Sequence, residues 1–127
     1  METRQRTFRV YQELVGLLHR AGARILEGTD SPEPQVPPGS SLHHEMELLV
    51  ESELTSAEVL SPATLSNARI LKREDQLGSV EPGKLADLVV LDADPVARIQ
   101  NSRRIRFVVR GGEVLVPASL MQRVPSV

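Results

Sequence analysis

Apolar residues recur at helical spacing along the first part of the chain. Phe8, Tyr11, Val15 and Leu18, flanked by Leu14 and Leu17, predict an amphipathic helix over residues 4–21. Gly22 suits its end, because glycine takes the left-handed backbone conformation without a steric penalty. A short apolar run from Ala23 to Glu27 then predicts a strand leading into Gly28-Thr29-Asp30. Beyond it, Pro32, Pro34, Pro37 and Pro38 deny both helix and interior strand, so a loop is expected there.

The helical pattern resumes at Ser40 or Ser41. Leu42, Met46, Leu49 and Val50 form an apolar stripe, while His43, Glu47 and Glu51 stack along a second face at i, i+4, i+8. Thr55-Ser56-Ala57-Glu58 has the form of a capping box and opens a further helix. Pro62 is expected to cut or kink that helix, with Ser61 capping a restart that closes near Leu71. After Gly78 the pattern changes to strands. Glu81-Pro82-Gly83-Lys84 suits a type II turn, and Leu88-Val89-Val90-Leu91 is a short continuous apolar strand. Residues 105–116 read as a hairpin about Gly111-Gly112. That register pairs Arg110 with Glu113, Val109 with Val114 and Phe107 with Val116. It places Phe107 and Val109 on one buried face, with Arg106 and Arg110 on the other. The fold class predicted is α+β: a helical segment over residues 1–74, with one strand at 23–30, and a β segment over residues 75–127. The tail after Pro117 is expected to fray.

Composition narrows the picture. A chain of 127 residues fits one domain. With no Trp, one Tyr and two Phe, its core must be built from Leu, Val, Ile and Ala. A formal net charge of -2 argues against a nucleic-acid partner. No apolar run approaches the roughly 20 residues of a membrane span, and the N-terminus lacks a signal-peptide core. The absence of Cys removes disulfides and thiol chemistry. A cytoplasmic protein is the expectation.

Charge is unevenly spread. Between Glu27 and Glu58 there is no Lys or Arg, only carboxylates and the pair His43-His44, whereas both ends are Arg-rich. The block is either a solvated acidic face, or a basin for a divalent cation, or one half of an electrostatic self-pairing. Histidine and carboxylate one helical turn apart, as in His43 and Glu47, can hold Zn²⁺ from one face. His44 adjoins them, Glu51 extends the face, and Asp30 is placed to approach from the loop. The competing reading is an exposed acidic helix with no ligand. A two-fold dimer doubles the ligand count and favours the metal reading. His19 is expected on a solvated face, and no serine lies in a nucleophile-elbow pattern.

The run Leu77-Gly78-Ser79-Val80-Glu81-Pro82-Gly83-Lys84-Leu85-Ala86-Asp87-Leu88-Val89-Val90-Leu91 resembles the segment by which amidohydrolase-superfamily enzymes leave their catalytic barrel and re-enter a small β-sandwich. Val108-Val109-Arg110-Gly111-Gly112 is similar to the closing strands of that sandwich, and Gly28-Thr29-Asp30-Ser31 to the end of the last barrel strand. Residues 38–45 and 68–71 resemble the closing helices of prolidase-like and imidazolonepropionase-like members. Glu53 and Lys72 stand where the family favours glycine, and Pro62 falls within one of its helices. The resemblance implies that the helical half is a remnant of the last part of a (β/α)8 barrel. It also implies a divalent metal, zinc or else manganese, activating water against an amide, ester or phosphoester. Asp30 maps onto the family's last-strand Asp, a metal ligand or proton acceptor. A truncated metal-dependent hydrolase is therefore expected, with Asp30 catalytic and Asp30, His43, His44 and Glu47 as metal ligands. It would act on a small-molecule substrate and form a homo-oligomer. The alternative is a non-catalytic C-terminal fragment or assembly module.

Overall fold

The computed structural model describes residues 2–117, with side chains from Gln5 onward; the tail after Pro117 lies outside the described residues. The fold is α+β, as the sequence predicts. Helix α1 spans Glu2–Arg20 and closes at Gly22, whose φ of 82° places it in the left-handed region. Helix α2 spans Ser40–Glu51. Helix α3, Ser56–Ser61, opens on the predicted capping box: Thr55 Oγ1 accepts from the Glu58 amide at 3.3 Å, and the Glu58 carboxylate accepts from the Thr55 amide at 2.9 Å.

Pro62 interrupts α3 after Ser61, as the sequence predicts, but no newly capped helix starts there. Ser61 stays helical, and the chain widens into a π turn over Pro62–Ser66 before α4, Asn67–Ile70. Proline has no N–H to donate to the carbonyl four residues back, and its ring crowds that carbonyl. A wider turn accommodates both.

The strand expected from residue 23 to residue 30 does not form: these residues make no ladder among those described. A strand exists only through its neighbours' hydrogen bonds, and no strand lies alongside. The segment is instead tied to helices, Asn67 Nδ2 donating to the Glu27 carbonyl and the Gly28 amide to Glu45 Oε1, each at 3.0 Å.

The β half follows its sequence pattern closely. The Lys84 amide donates to the Glu81 carbonyl at 3.3 Å, and Gly83 has the positive φ, 91°, that a type II turn needs. Strands β1 (Leu88–Leu91), β2 (Ile105–Arg110) and β3 (Glu113–Leu115) form an antiparallel sheet in that order. Arg110 pairs with Glu113 and Val109 with Val114, as predicted, and Val108 pairs with Leu115 in the same register; β3 ends at Leu115, short of the predicted Phe107–Val116 pair. Both turn glycines have positive φ, 56° and 85°. Phe107 and Val109 are half-buried rather than buried, and so is Val108, because nothing among the described residues fully covers this three-stranded sheet.

The core comprises Met46, Leu49, Leu54, Val59 and Ile99, with Val15, Ile25, Val50, Leu60 and Ala63 packed around it. Ile99 alone among these comes from the second half, at the head of a 3-10 turn over Ile99–Arg103. Helix α1 joins α2 through Gln12, whose Nε2 donates to Glu51 at 3.0 Å, and joins the turn after α2 through an Arg20–Glu53 ion pair. Its Phe8, Tyr11, Leu14, Leu17 and Leu18 remain exposed. Glu53 and Lys72 hold left-handed conformations, φ 76° and 54°. Those are the two positions where the family resemblance called for glycine, and the backbone shows why. No described helix is long and apolar enough to cross a membrane.

Candidate active site

Asp30 follows the tethered segment and opens the proline-rich loop. Its φ is 55°, a left-handed value that Asp tolerates better than most residues, and its carbonyl accepts from the Glu33 amide at 3.1 Å. Its side chain is exposed, and its carboxylate finds no partner among the described residues.

The helix face bearing His43 and Glu47 meets the 3-10 turn rather than Asp30. His43 Nδ1 and Ser102 Oγ share a hydrogen bond of 3.0 Å, with Ser102 buried. Arg103 grips Glu47 with two nitrogens, Nε to Oε1 at 2.7 Å and Nη2 to Oε2 at 3.2 Å. That grip, chiefly its hydrogen bonds, holds the Glu47 carboxyl below the ordinary carboxylate range. Burial first, and the Arg103 charge second, lower the basicity of His43 against the opposing pull of Glu47. His44 Nδ1 lies 3.7 Å from Glu47 and stays largely exposed.

The ligand set expected from the sequence is therefore not gathered. No three His, Asp or Glu side chains converge on a common point among the described residues. His43 and Glu47 do share one face of α2, but that face packs against the 3-10 turn. Arg103 takes up the Glu47 carboxylate and Ser102 takes a nitrogen of His43. Glu51 is bound by Gln12. His19, expected to be solvated, contacts Glu58 Oε1 at 3.3 Å. The residues present do not by themselves fit a metal centre, since Asp30 supplies a single carboxylate.

Glu27 and Glu45 escaped the sequence reading. Glu27 is only 8% exposed, and among the described residues both of its side-chain oxygens lack a hydrogen-bond partner, as does Glu45 Oε2. Burial raises the Glu27 pKa to about 7, with the nearby Glu45 charge adding to the effect. The available signal was a carboxylate ending the apolar run Ile25-Leu26, just before Gly28.

Residues 9–115 match the model of the amidohydrolase family. The imidazolonepropionase of Shouchella clausii is 31% identical over 105 residues, covering 80% of this chain and 23% of that protein. The 5'-deoxyadenosine deaminase of Methanobrevibacter smithii is 36% identical over 63 residues, half of this chain and 14% of that one. Among solved structures, phenylurea hydrolase B superposes with a TM-score of 0.76 at 36% identity, over 89% of this chain and 28% of that chain. A putative prolidase from Bifidobacterium longum gives 0.73 at 36% identity, over 80% and 25%. The chain thus spans between 14% and 28% of the length of these relatives.

Proposed function

The chain belongs to the amidohydrolase family, and from that footing we propose that it supplies the Asp30-bearing part of a hydrolase site acting on amide, ester or phosphoester bonds. The observation that supports this most is the Asp30 carboxylate itself. It is exposed, without a partner among the described residues, at the head of a loop whose base is tied to two helices. A carboxylate held in that way can take the proton of an attacking water. Family members generally use a metal to lower the pKa of that water and polarise the bond under attack. Zinc, with manganese as the alternative, remains our proposal for the assembled site. Its other ligands would have to come from groups outside the cluster of residues described above. In this reading the helical half corresponds to the last part of a (β/α)8 barrel.

The test is hydrolysis of model amides, esters and phosphoesters with Zn²⁺ or Mn²⁺ supplied. Asp30→Ala is expected to lower the rate by about 100-fold or more, the ordinary contribution of a positioned base, and a chelator should abolish it. Turnover that survives both would overturn the assignment. The engagement of Glu47 by Arg103 favours the second reading, a non-catalytic assembly module. No uptake of Zn²⁺ or Mn²⁺, and no turnover, at concentrations where the chain self-associates would select it.

Both readings share a proposed partner, a second copy of this chain. The exposed Phe8, Tyr11, Leu14, Leu17 and Leu18 form an apolar face of the kind that natural proteins cover. Sedimentation at micromolar concentration is expected to show association that weakens in Leu14→Glu/Leu17→Glu. A strictly monomeric wild type would count decisively against it.

A further inference from the structure

Leu88-Val89-Val90-Leu91 has the composition of a strand set between neighbours, since a continuous apolar run has no alternate polar positions to turn toward water. Yet β1 lies at an edge. The sheet runs β1-β2-β3, and among the described residues β1 has a strand on one side only. The register fixes which backbone groups that edge presents. Arg110 and Glu113 close the Gly111-Gly112 loop as a hydrogen-bonded pair, so Val109 and Phe107 turn their amides and carbonyls toward β1. Their partners there are Leu88 and Val90, and the Asp92 amide, donating to the Arg104 carbonyl at 2.8 Å, continues the same alternation. Val89 and Leu91 therefore point their N–H and C=O groups away from β2.

Natural proteins blunt an open edge with charge, proline or a bulge. The residues of β1 include no charge and no proline. Its register with β2 does shift between Val90 and Leu91, but the extra residue is Arg106 of β2, so the free side of β1 stays continuous. We propose that β1 pairs antiparallel with β1 of a second copy of this chain, joining two three-stranded sheets into one across a two-fold axis. This edge is separate from the α1 face, and the proposal stands whether or not Asp30 turns anything over.

Charge selects the occupant. The carboxylates that flank the strand are satisfied within the protomer: Asp87 Oδ1 accepts from the Gly111 amide and Asp92 Oδ1 from Arg106 Nε, each at 2.7 Å. What the edge asks for is thus an uncharged apolar strand with a free edge of its own, and β1 is one. Only its odd-numbered residues offer free groups, so odd must stand opposite odd across the junction. Asp87 and Asp92 differ in parity and point to opposite faces, so Asp87 never meets the partner copy's Asp92. Either meets its own counterpart only in registers where the two strands no longer overlap. In the register centred on Val89, which is 56% exposed in the single chain, the two Val89 side chains cover one another.

The experiment is residue-resolved amide hydrogen exchange of the whole chain from micromolar to millimolar concentration, with sedimentation of the same samples. It is run on wild type and on Leu14→Glu/Leu17→Glu, which removes the α1 contact and leaves the edge alone. In both, the Val89 and Leu91 amides should exchange freely when dilute and become protected as concentration rises. Leu88 and Val90, already in the β1–β2 ladder, should change little. Val89→Pro deletes an N–H that points away from β2, a position where an edge strand tolerates proline. It should leave Leu91 unprotected at every concentration and raise the dissociation constant about tenfold or more, as the loss of a ladder hydrogen bond from each copy implies. Val89→Lys, which sets like charges together at the junction, gives the same reading if the proline variant folds poorly. Val89 and Leu91 amides that exchange freely at every concentration would overturn the proposal. So would protection independent of concentration, which would mean that the edge is covered from within one chain, or a Val89→Lys chain that associates as tightly as wild type.

Discussion

Ile99→Ala is expected to lower folding stability by roughly 3 kcal/mol, within the span of about 2–5 kcal/mol for truncating a buried aliphatic side chain to alanine. Ile99 is 1% exposed and packs into the cluster of Met46, Leu49, Leu54 and Val59. It is also the only member of that cluster from beyond Gly78. The 3-10 turn it heads carries Ser102 and Arg103, which reach His43 and Glu47 on α2. Losing Ile99 should therefore weaken the whole joint between sheet and helices. Urea unfolding followed by circular dichroism gives the check, since a chain without Trp offers little intrinsic fluorescence. The midpoint should fall with the slope preserved, as stability changes while the exposed surface does not. A loss below about 1 kcal/mol would mean that this side chain is not closely packed.

Gly78→Ala is expected to cost about 2–4 kcal/mol, from two penalties acting together. Gly78 has φ of 90°, a conformation that a Cβ strains. An alanine Cβ there would lie 2.8 Å from both the Ala68 Cβ and the Leu65 Cα, so a helix backbone would have to move. Gly83 supplies the control. Its φ is 91°, yet nothing lies within 4 Å of an added Cβ. Gly83→Ala should thus cost only the backbone part, about 1–2 kcal/mol. Equal losses in the two variants would show that the close approach at Gly78 contributes nothing.

The elements legible in the sequence are those whose cause is local. The capping box at Thr55 and Glu58 depends on groups three residues apart. The type II turn at Gly83 and the hairpin at Gly111-Gly112 depend on glycines that accept positive φ. The hairpin register follows once its turn is placed, because side chains alternate with period two. Family membership was legible for a related reason: a run such as Leu77 to Leu91 encodes a turn, a close glycine and a strand in fixed order.

Tertiary structure decided the rest. The apolar run from residue 23 has a strand's composition, but a strand needs a ladder, and here the neighbours are helices. His43 and Glu47 share a helix face, as their spacing requires, yet spacing cannot say what that face meets. It meets Ser102 and Arg103, fifty-nine and fifty-six residues onward. An arginine that can grip a carboxylate bidentately removes it from any metal within reach. Glu27 and Glu45 stand eighteen positions apart and share no periodicity, so only folding brings them to face one another. Local geometry and pattern were thus written in the sequence, while the partner of each charged side chain was settled by packing, because charges interact across space rather than along the chain.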